Sequence, residues 1–197
     1  MFKSSCIGLI CRDLKFLQNI KTDLDRLFLS NSSEKAQYYI SSITLYDCFH
    51  FLNQQEEESL VFMTGMKIGN IRTIEKIITF KFSHQSIGGV RGDPGDALKA
   101  LLRLDKFGHA LYATVHIHPG FGVVATCPSA IDTRYQESLE CGKYKTVMGI
   151  FSRDGYVRFF NLKNNFEIYI FGKGIEEVVD ESPRVFKLLE AGDLQRL

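Results

Sequence analysis

The run Ala110–His116 (ALYATVH) constrains this chain more than any other feature. It is short, dominated by apolar and β-favouring residues, and ended by Pro119-Gly120 just beyond His118, so it reads as a buried strand. Residues two apart on a strand point to the same side. His116 and His118, placed where the strand meets its loop, therefore project both imidazoles into one space. Imidazole is a preferred zinc ligand, and two of them on one face begin a site. Asp132 follows fourteen residues after His118, in the first turn of a predicted helix, and can supply an oxygen ligand. Two histidines and one carboxylate leave a fourth tetrahedral position for water, the arrangement of a catalytic rather than a structural zinc. Taken singly these parts are common: an H-x-H can be structural or surface histidine, and Ser129-x-x-Asp132 also fits a helix capping box.

The surrounding pattern predicts mixed strands and helices, an α+β (α/β-like) chain rather than a clean doubly wound one. Apolar residues at helical spacing (Phe16, Leu17, Ile20, Leu24, Leu27) predict an amphipathic helix within Leu14–Leu29. Tyr38–Ile43 predicts a first strand, followed by a helix to about Gln55 capped by Thr44 or Asp47. Leu60–Met66 predicts a buried strand, Ile74–Phe82 a further strand, and Gly88–Gly95 a loop. Asp93 or Gly95 precedes a helix over DALKALLRLDKFG. Ser129–Cys141 predicts another helix. Thr146–Phe151, Tyr156–Leu162 and Phe166–Phe171 predict three strands joined by hairpin turns at Arg153-Asp154-Gly155 and Lys163-Asn164-Asn165. Val178–Leu194 predicts a C-terminal helix broken near Pro183.

Charge bounds the partners. Lys plus Arg number 24 against 23 Asp plus Glu, a net charge of +1. That argues against a protein built to neutralise a nucleic-acid backbone, though it leaves room for a local basic patch. Five cysteines, with no C-x-x-C, argue against a disulfide framework and for a reducing, cytoplasmic compartment. The apolar patch Cys6–Cys11 is too short for a signal-peptide core, and no stretch approaches the ~18 apolar residues of a membrane span.

A zinc-bound water needs a general base, usually Glu. Glu56, Glu57 and Glu58 cluster before the strand Leu60–Met66, although such a triplet is also the composition of a solvated acidic turn. At this point the residues resemble the JAB/MPN metalloproteases with their JAMM motif. Glu58-Ser-Leu-Val-Phe-Met-Thr-Gly65 matches the family's E-x-x-x-x-x-x-G, His116-Ile-His118-Pro119 its H-x-H-P, and Ser129-Ala-Ile-Asp132 its S-x-x-D. The resemblance covers about residues 36–172, with a helical extension 1–35 before it and a helical segment 173–197 after it. It departs in three places. Ten residues (Pro119–Pro128) separate the second His from the Ser, against the family's usual seven. Ile117 stands where Ser or Thr is frequent, and Val61 where Gly is usual.

The resemblance implies a JAB/MPN (cytidine-deaminase-like) mixed β-sheet flanked by helices. It implies zinc on His116, His118 and Asp132, with Glu58 as base (Glu57 next) and Ser129 as oxyanion donor. Cys127, in the longer loop, reads as a partly buried thiol; the alternative is an inhibitory metal ligand. The implied activity is cleavage after the C-terminal tail of ubiquitin or a ubiquitin-like protein, in deconjugation or precursor processing. Walls for that tail are expected from Ser83–Gly95 and the longer loop. The compact size resembles stand-alone bacterial JAB enzymes of conjugation or antiphage operons, whose partners include E1-like and E2-like proteins. The alternatives are a non-catalytic MPN scaffold and another zinc hydrolase with a small substrate. Phe16, Leu17 and Ile20 are expected to make a dimer or partner contact.

Overall fold

The computed structural model describes residues 35–86, 89–105, 108–179 and 184–189. The chain divides into two units, Met1–Glu34 and Lys35–Leu197, and every described residue belongs to the second. The helix expected within Leu14–Leu29, its contact residues Phe16, Leu17 and Ile20, and the patch Cys6–Cys11 lie outside the described residues.

The architecture is mixed α+β. In chain order it runs β1 (Ala36–Ser41), α1 (Ser42–Asn53), β2 (Leu60–Gly65), β3 (Lys67–Ile68), β4 (Ile71–Ile74), β5 (Lys76–Ile78), β6 (Phe82–Ser86) and β7 (Gly89–Gly92). There follow α2 (Pro94–Asp105), β8 (Ala110–Ile117), a 3-10 turn (Val123–Thr126), α3 (Ala130–Cys141), β9 (Val147–Phe151), β10 (Tyr156–Phe160), β11 (Phe166–Phe171), β12 (Ile175–Glu177) and β13 (Val185–Leu188). A seven-stranded sheet has the order β12-β13-β10-β9-β8-β2-β5, a four-stranded sheet the order β11-β1-β4-β3, and β6 and β7 pair alone.

β8 lies inside the large sheet, antiparallel to β2 and parallel to β9. Its apolar run lacks alternation because both faces are covered. On one face Val61, Met63, Val115 and Ile117 share a core with Leu45, Cys48 and Leu52 of α1 and with Tyr38 and Phe166 of the small sheet. On the other, Leu60, Phe62 and Leu111 pack with Tyr135 and Leu139 of α3. Full burial of each large apolar side chain contributes about 1.5–3 kcal/mol, so both layers bear on stability. The β2–β8 register shifts between Met63 and Thr64, leaving Tyr112 as an extra residue on β8. This bulge turns Tyr112 into the first core, edge-on to Tyr38 at 6.4 Å, while Leu111 faces α3.

Several expectations need correction. The helix expected over Val178–Leu194 is not one where it is described: Val185–Leu188 is a strand paired antiparallel with β10. Arg184, at φ 82°, enters that strand from a left-handed conformation that a helix excludes. The helical segment 173–197 is thus replaced, where described, by β12 and β13. The third of the three consecutive strands is not a hairpin partner of the second. The chain turns at Asn164 (φ 52°), and β11 crosses to the small sheet, parallel to β1. Phe166 drives the crossing: it is fully buried, 5.9 Å from the Tyr38 ring, under the Arg184 guanidinium.

Ile74–Phe82 is not one strand. The chain changes sheets at Glu75, so β4 pairs with β1 and β5 with β2. Gly89–Gly92, expected as loop, pairs with β6, since backbone hydrogen bonds need no side chain. Helix α1 starts earlier than expected, because the Ser41 hydroxyl, rather than Thr44 or Asp47, accepts from the Thr44 amide at 3.0 Å. No described helix is long and apolar enough to cross a membrane.

Gly65 ends β2 where the chain passes against β4: a Cβ there would lie 1.9 Å from the Thr73 carbonyl oxygen. No side-chain rotation relieves a backbone clash. Gly65→Ala is expected to lower unfolding free energy by about 3 kcal/mol, read by urea denaturation; an unchanged midpoint would contradict this packing.

Candidate metal centre

The β2–β8 register brings the site together. Leu60, the first residue of β2, stands opposite His116, and Glu58, two residues before it, lies where it interacts electrostatically with His116, His118 and Asp132. Across the other edge of β8, His116 pairs with Ile150, and the His118 amide donates to the Phe151 carbonyl at 2.9 Å. Both histidines are thus fixed through their backbones. Helix α3 crosses the face that carries them, and Asp132 in its first turn meets them. His116 is 4% exposed and Asp132 9%, so water screens the group poorly.

Within it, the Nε2 atoms of His116 and His118 are 3.1 Å apart. Asp132 Oδ1 lies 3.1 Å from His116 Nε2, and Oδ2 lies 3.4 Å from His118 Nε2. These three residues form a group able to hold a metal ion. The spacing fits: a tetrahedral ion bound at ~2.0–2.1 Å holds its ligand atoms about 3.3–3.4 Å apart. The chemistry of the donors fits as well. His118 Nδ1 is 2.7 Å from the Ala125 carbonyl, which can only accept, so Nδ1 carries a proton. In neutral His118 the Nε2 lone pair then faces the group. A histidine oriented through its second nitrogen is the usual support of a metal ligand.

Asp132 also closes the capping box at α3. Its Oδ2 accepts from the Ser129 amide at 2.7 Å, and its own amide donates to Ser129 Oγ at 3.2 Å. Capping and ligation are therefore compatible uses of one carboxylate. Burial raises the Asp132 pKa, but hydrogen bonds from His116, His118 and Ser129 outweigh it and hold the carboxyl far below the usual range. For His118, burial acts downward, yet Asp132, the Ala125 carbonyl and Glu58 lift it above the ordinary imidazole value. Burial also raises Glu58, against the opposing influence of His116, His118 and Arg153. Glu58 is half-buried, whereas Glu56 and Glu57 are exposed. Ser129 Oγ accepts from Asp132, so its O–H is left to donate.

The long loop after His118 is built rather than slack. Gly122, at φ 74°, makes a bend that a side chain would strain, and its amide donates to Asp154 at 2.8 Å. The 3-10 turn then presents the Ala125 carbonyl to His118. The loop between His118 and Ser129 is thus the element that orients one of the histidines. Cys127, expected partly buried, is an exposed free thiol and is not a member of the His–His–Asp group, so the inhibitory-ligand alternative has no support in this arrangement.

Arg153 escaped the sequence reading. Its Nη1 donates to the Asn53 carbonyl at 3.2 Å and the Gln55 carbonyl at 2.9 Å, and Nη2 to the Glu56 carbonyl at 3.4 Å. Its amide donates to the Gly120 carbonyl at 2.9 Å. One residue thereby ties the segment leading to Glu58 to the loop leaving His118. In sequence it is part of a turn, with no local signal for so distant a role.

No family model and no curated protein matches this chain. Among solved structures it is similar to the solution structure of protein DSY2949 from Desulfitobacterium hafniense. The match has 17% identity and a TM-score of 0.52, covering 69% of this chain and 94% of that one. At that identity the likeness is one of fold. What fold and site together define is a mixed α+β protein with a buried His–His–Asp group of metal-binding geometry.

One prediction follows from proton linkage and a second from the helix cap. Without metal, the raised His118 pKa contributes stability that is complete below the unfolded value of about 6.5 and is lost as pH rises through the folded value. A bound divalent metal requires neutral imidazole, so its stabilisation grows with pH. Melting curves between pH 6 and 8 should therefore slope in opposite directions for chelator-treated and metal-saturated protein; parallel slopes would exclude the group as a metal site. Ser129→Ala, which removes the cap but no metal donor, is expected to cost about 1 kcal/mol in denaturation while metal content stays unchanged.

Proposed function

We propose that the chain is a zinc-dependent peptidase of the JAB/MPN type, cleaving the peptide or isopeptide bond that follows the C-terminal tail of a ubiquitin-like protein. The carrying observation is the convergence of His116, His118 and Asp132 with a half-buried Glu58 at the same end of β2 and β8. The motif order and the mixed α+β arrangement, with α1 and α3 on opposite faces of the large sheet, support the family reading. Zinc is the metal favoured by two imidazoles and one carboxylate with an open fourth position.

Bound zinc would supply a water of pKa near ~7 and polarise the scissile carbonyl. Glu58 accepts a proton from the nucleophile and returns it to the leaving amine, a role suited by a pKa raised above the usual carboxylate value. The Ser129 hydroxyl donates to the developing oxyanion. Arg153 positions the Glu58 segment. An extended tail pairs with a strand edge, and the two-stranded β6–β7 ribbon, which lies almost wholly within Ser83–Gly95, offers such edges. Free Cys48, Cys127 and Cys141 suit a reducing cytoplasm, and E1-like and E2-like proteins are the partners this reading implies.

The test is cleavage of a ubiquitin-like fusion by zinc-loaded full-length protein. Glu58→Gln should keep one zinc per chain and lose at least ~100-fold in kcat. Retained activity would remove Glu58 as base. Tight binding of the fusion by wild type without cleavage would replace the enzyme by a binding module. Arg153→Ala should keep zinc and lower kcat less than Glu58→Gln does. It should also move the acid limb of the pH profile upward, because a cation that lowers the Glu58 pKa is gone; Arg153→Lys, lacking the planar fork, should not restore the wild-type rate.

A further inference from the structure

At the opposite end of β8 from the histidines lies a cavity of about 500 Å³. Its lining comes from β3–β4, α2, the first residues of β8 and the turn between α3 and β9. Ala110–Tyr112 are four to six residues from His116, about 13–20 Å along a strand. The cavity is therefore separate from the candidate metal centre, and its reading stands or falls independently of the proposed protease activity.

Four cations line it: Lys67, Arg72, Lys143 and Lys145. Among the described residues no carboxylate lies in the lining, and none of the four makes an ion pair. Arg72 is 7% exposed, its Nη1 on the Asn70 carbonyl at 3.2 Å and its guanidinium 5.4 Å from the Tyr38 ring centre. A buried guanidinium without a counter-ion is costly unless something anionic completes it. Lys143 stands in left-handed backbone (φ 64°), a conformation usually taken by Gly or Asn after a helix. A non-glycine residue held there is the kind of local strain that clusters at ligand clamps. The α3 carbonyls of Ser138, Leu139 and Glu140 accept from the amides of Gly142, Tyr144 and Lys143, so they do not consume these side-chain charges.

Apart from His109, the rest of the described lining is apolar or aromatic. Leu98 and Leu102 of α2 are 57% and 59% exposed, and Tyr144 is 43% exposed. The Tyr144 ring lies where a Cβ on Gly142 would meet it at 3.2 Å, so Gly142 lets it pack close to the turn. Cations beside an aromatic and aliphatic wall match a ligand with an anionic group on a planar or apolar body. A single carboxylate would leave most of the positive charge unanswered. A phosphate, at about −1.5 to −2, or a polyphosphate answers it better. The volume falls within the ~300–1,000 Å³ of small-molecule sites.

We propose that this cavity binds a phosphate-bearing small molecule with an aromatic body, of which a mononucleotide is the simplest, its phosphate on Arg72 and the lysines and its base against Tyr144 and the two leucines. Isothermal titration of the full chain with AMP, ATP, inorganic phosphate and an oligoglutamate peptide tests it. AMP or ATP should bind at least tenfold more tightly than inorganic phosphate. Lys143→Glu/Lys145→Glu, on exposed positions that leave the core intact, should weaken that binding at least tenfold, and Leu102→Glu should weaken it too. His116→Ala should leave it unchanged. No AMP or ATP binding at millimolar concentration, or binding indifferent to the lysine substitutions, would overturn the proposal. Equal affinity for inorganic phosphate would remove the aromatic subsite, and tighter binding of oligoglutamate would assign the surface to an acidic protein partner instead.

Discussion

The pairing of Leu60 with His116 is the constraint on which the rest depends. It buries β8 between two strands, so the sheet cannot slide without exposing its apolar run. A slip by one residue would send His116 into the apolar face shared with α1 and turn Val115 toward α3. The same strand start places Glu58, two residues before Leu60, within electrostatic reach of His116 and His118. Site and core are therefore specified by one set of hydrogen bonds: the packing that stabilises the sheet also fixes where the titratable groups meet.

Asp132 connects that sheet to α3. A buried carboxylate needs partners, and this one has three: the Ser129 amide at the helix N-cap and two imidazoles. The positive end of the helix favours a negative charge in its first turn. The arrangement explains why one residue can cap a helix and still offer oxygen to a metal. It also separates two kinds of variant: loss of Ser129 weakens a helix end, whereas loss of Asp132 leaves the buried His116 and the half-buried His118 facing each other.

Much of this was legible in the sequence, where local chemistry carried it. The period of two along His116-Ile-His118, the Pro-Gly stop and the capping box of Ser129 and Asp132 are local signals, and each maps onto one element. What escaped was set by distant partners. Phe166–Phe171 looks like the third strand of a meander, yet the buried site beside Tyr38 draws it to the other sheet. Val185–Leu188 was read within a helix because apolar spacing over Val178–Leu194 tolerates both periods; pairing with β10 decides it. Ile74–Phe82 has one composition but touches three sheets, through the ends of β4 and β6 and the whole of β5. Arg153 is invisible for the same reason, since its acceptors lie about a hundred residues away in sequence. The longer loop looked like an insertion, and the carbonyl it places on His118 gives it a function in the site.

The central claim is that His116, His118 and Asp132 together hold one metal ion. X-ray absorption on the zinc-loaded full chain measures this directly. The account predicts one zinc per chain, with a first shell of nitrogen and oxygen only at ~2.0–2.1 Å and a two-imidazole signature that His118→Ala reduces. A sulfur shell at ~2.3 Å, which would bring a thiol such as Cys127 onto the metal, or zinc that binds equally well without His118, would contradict it.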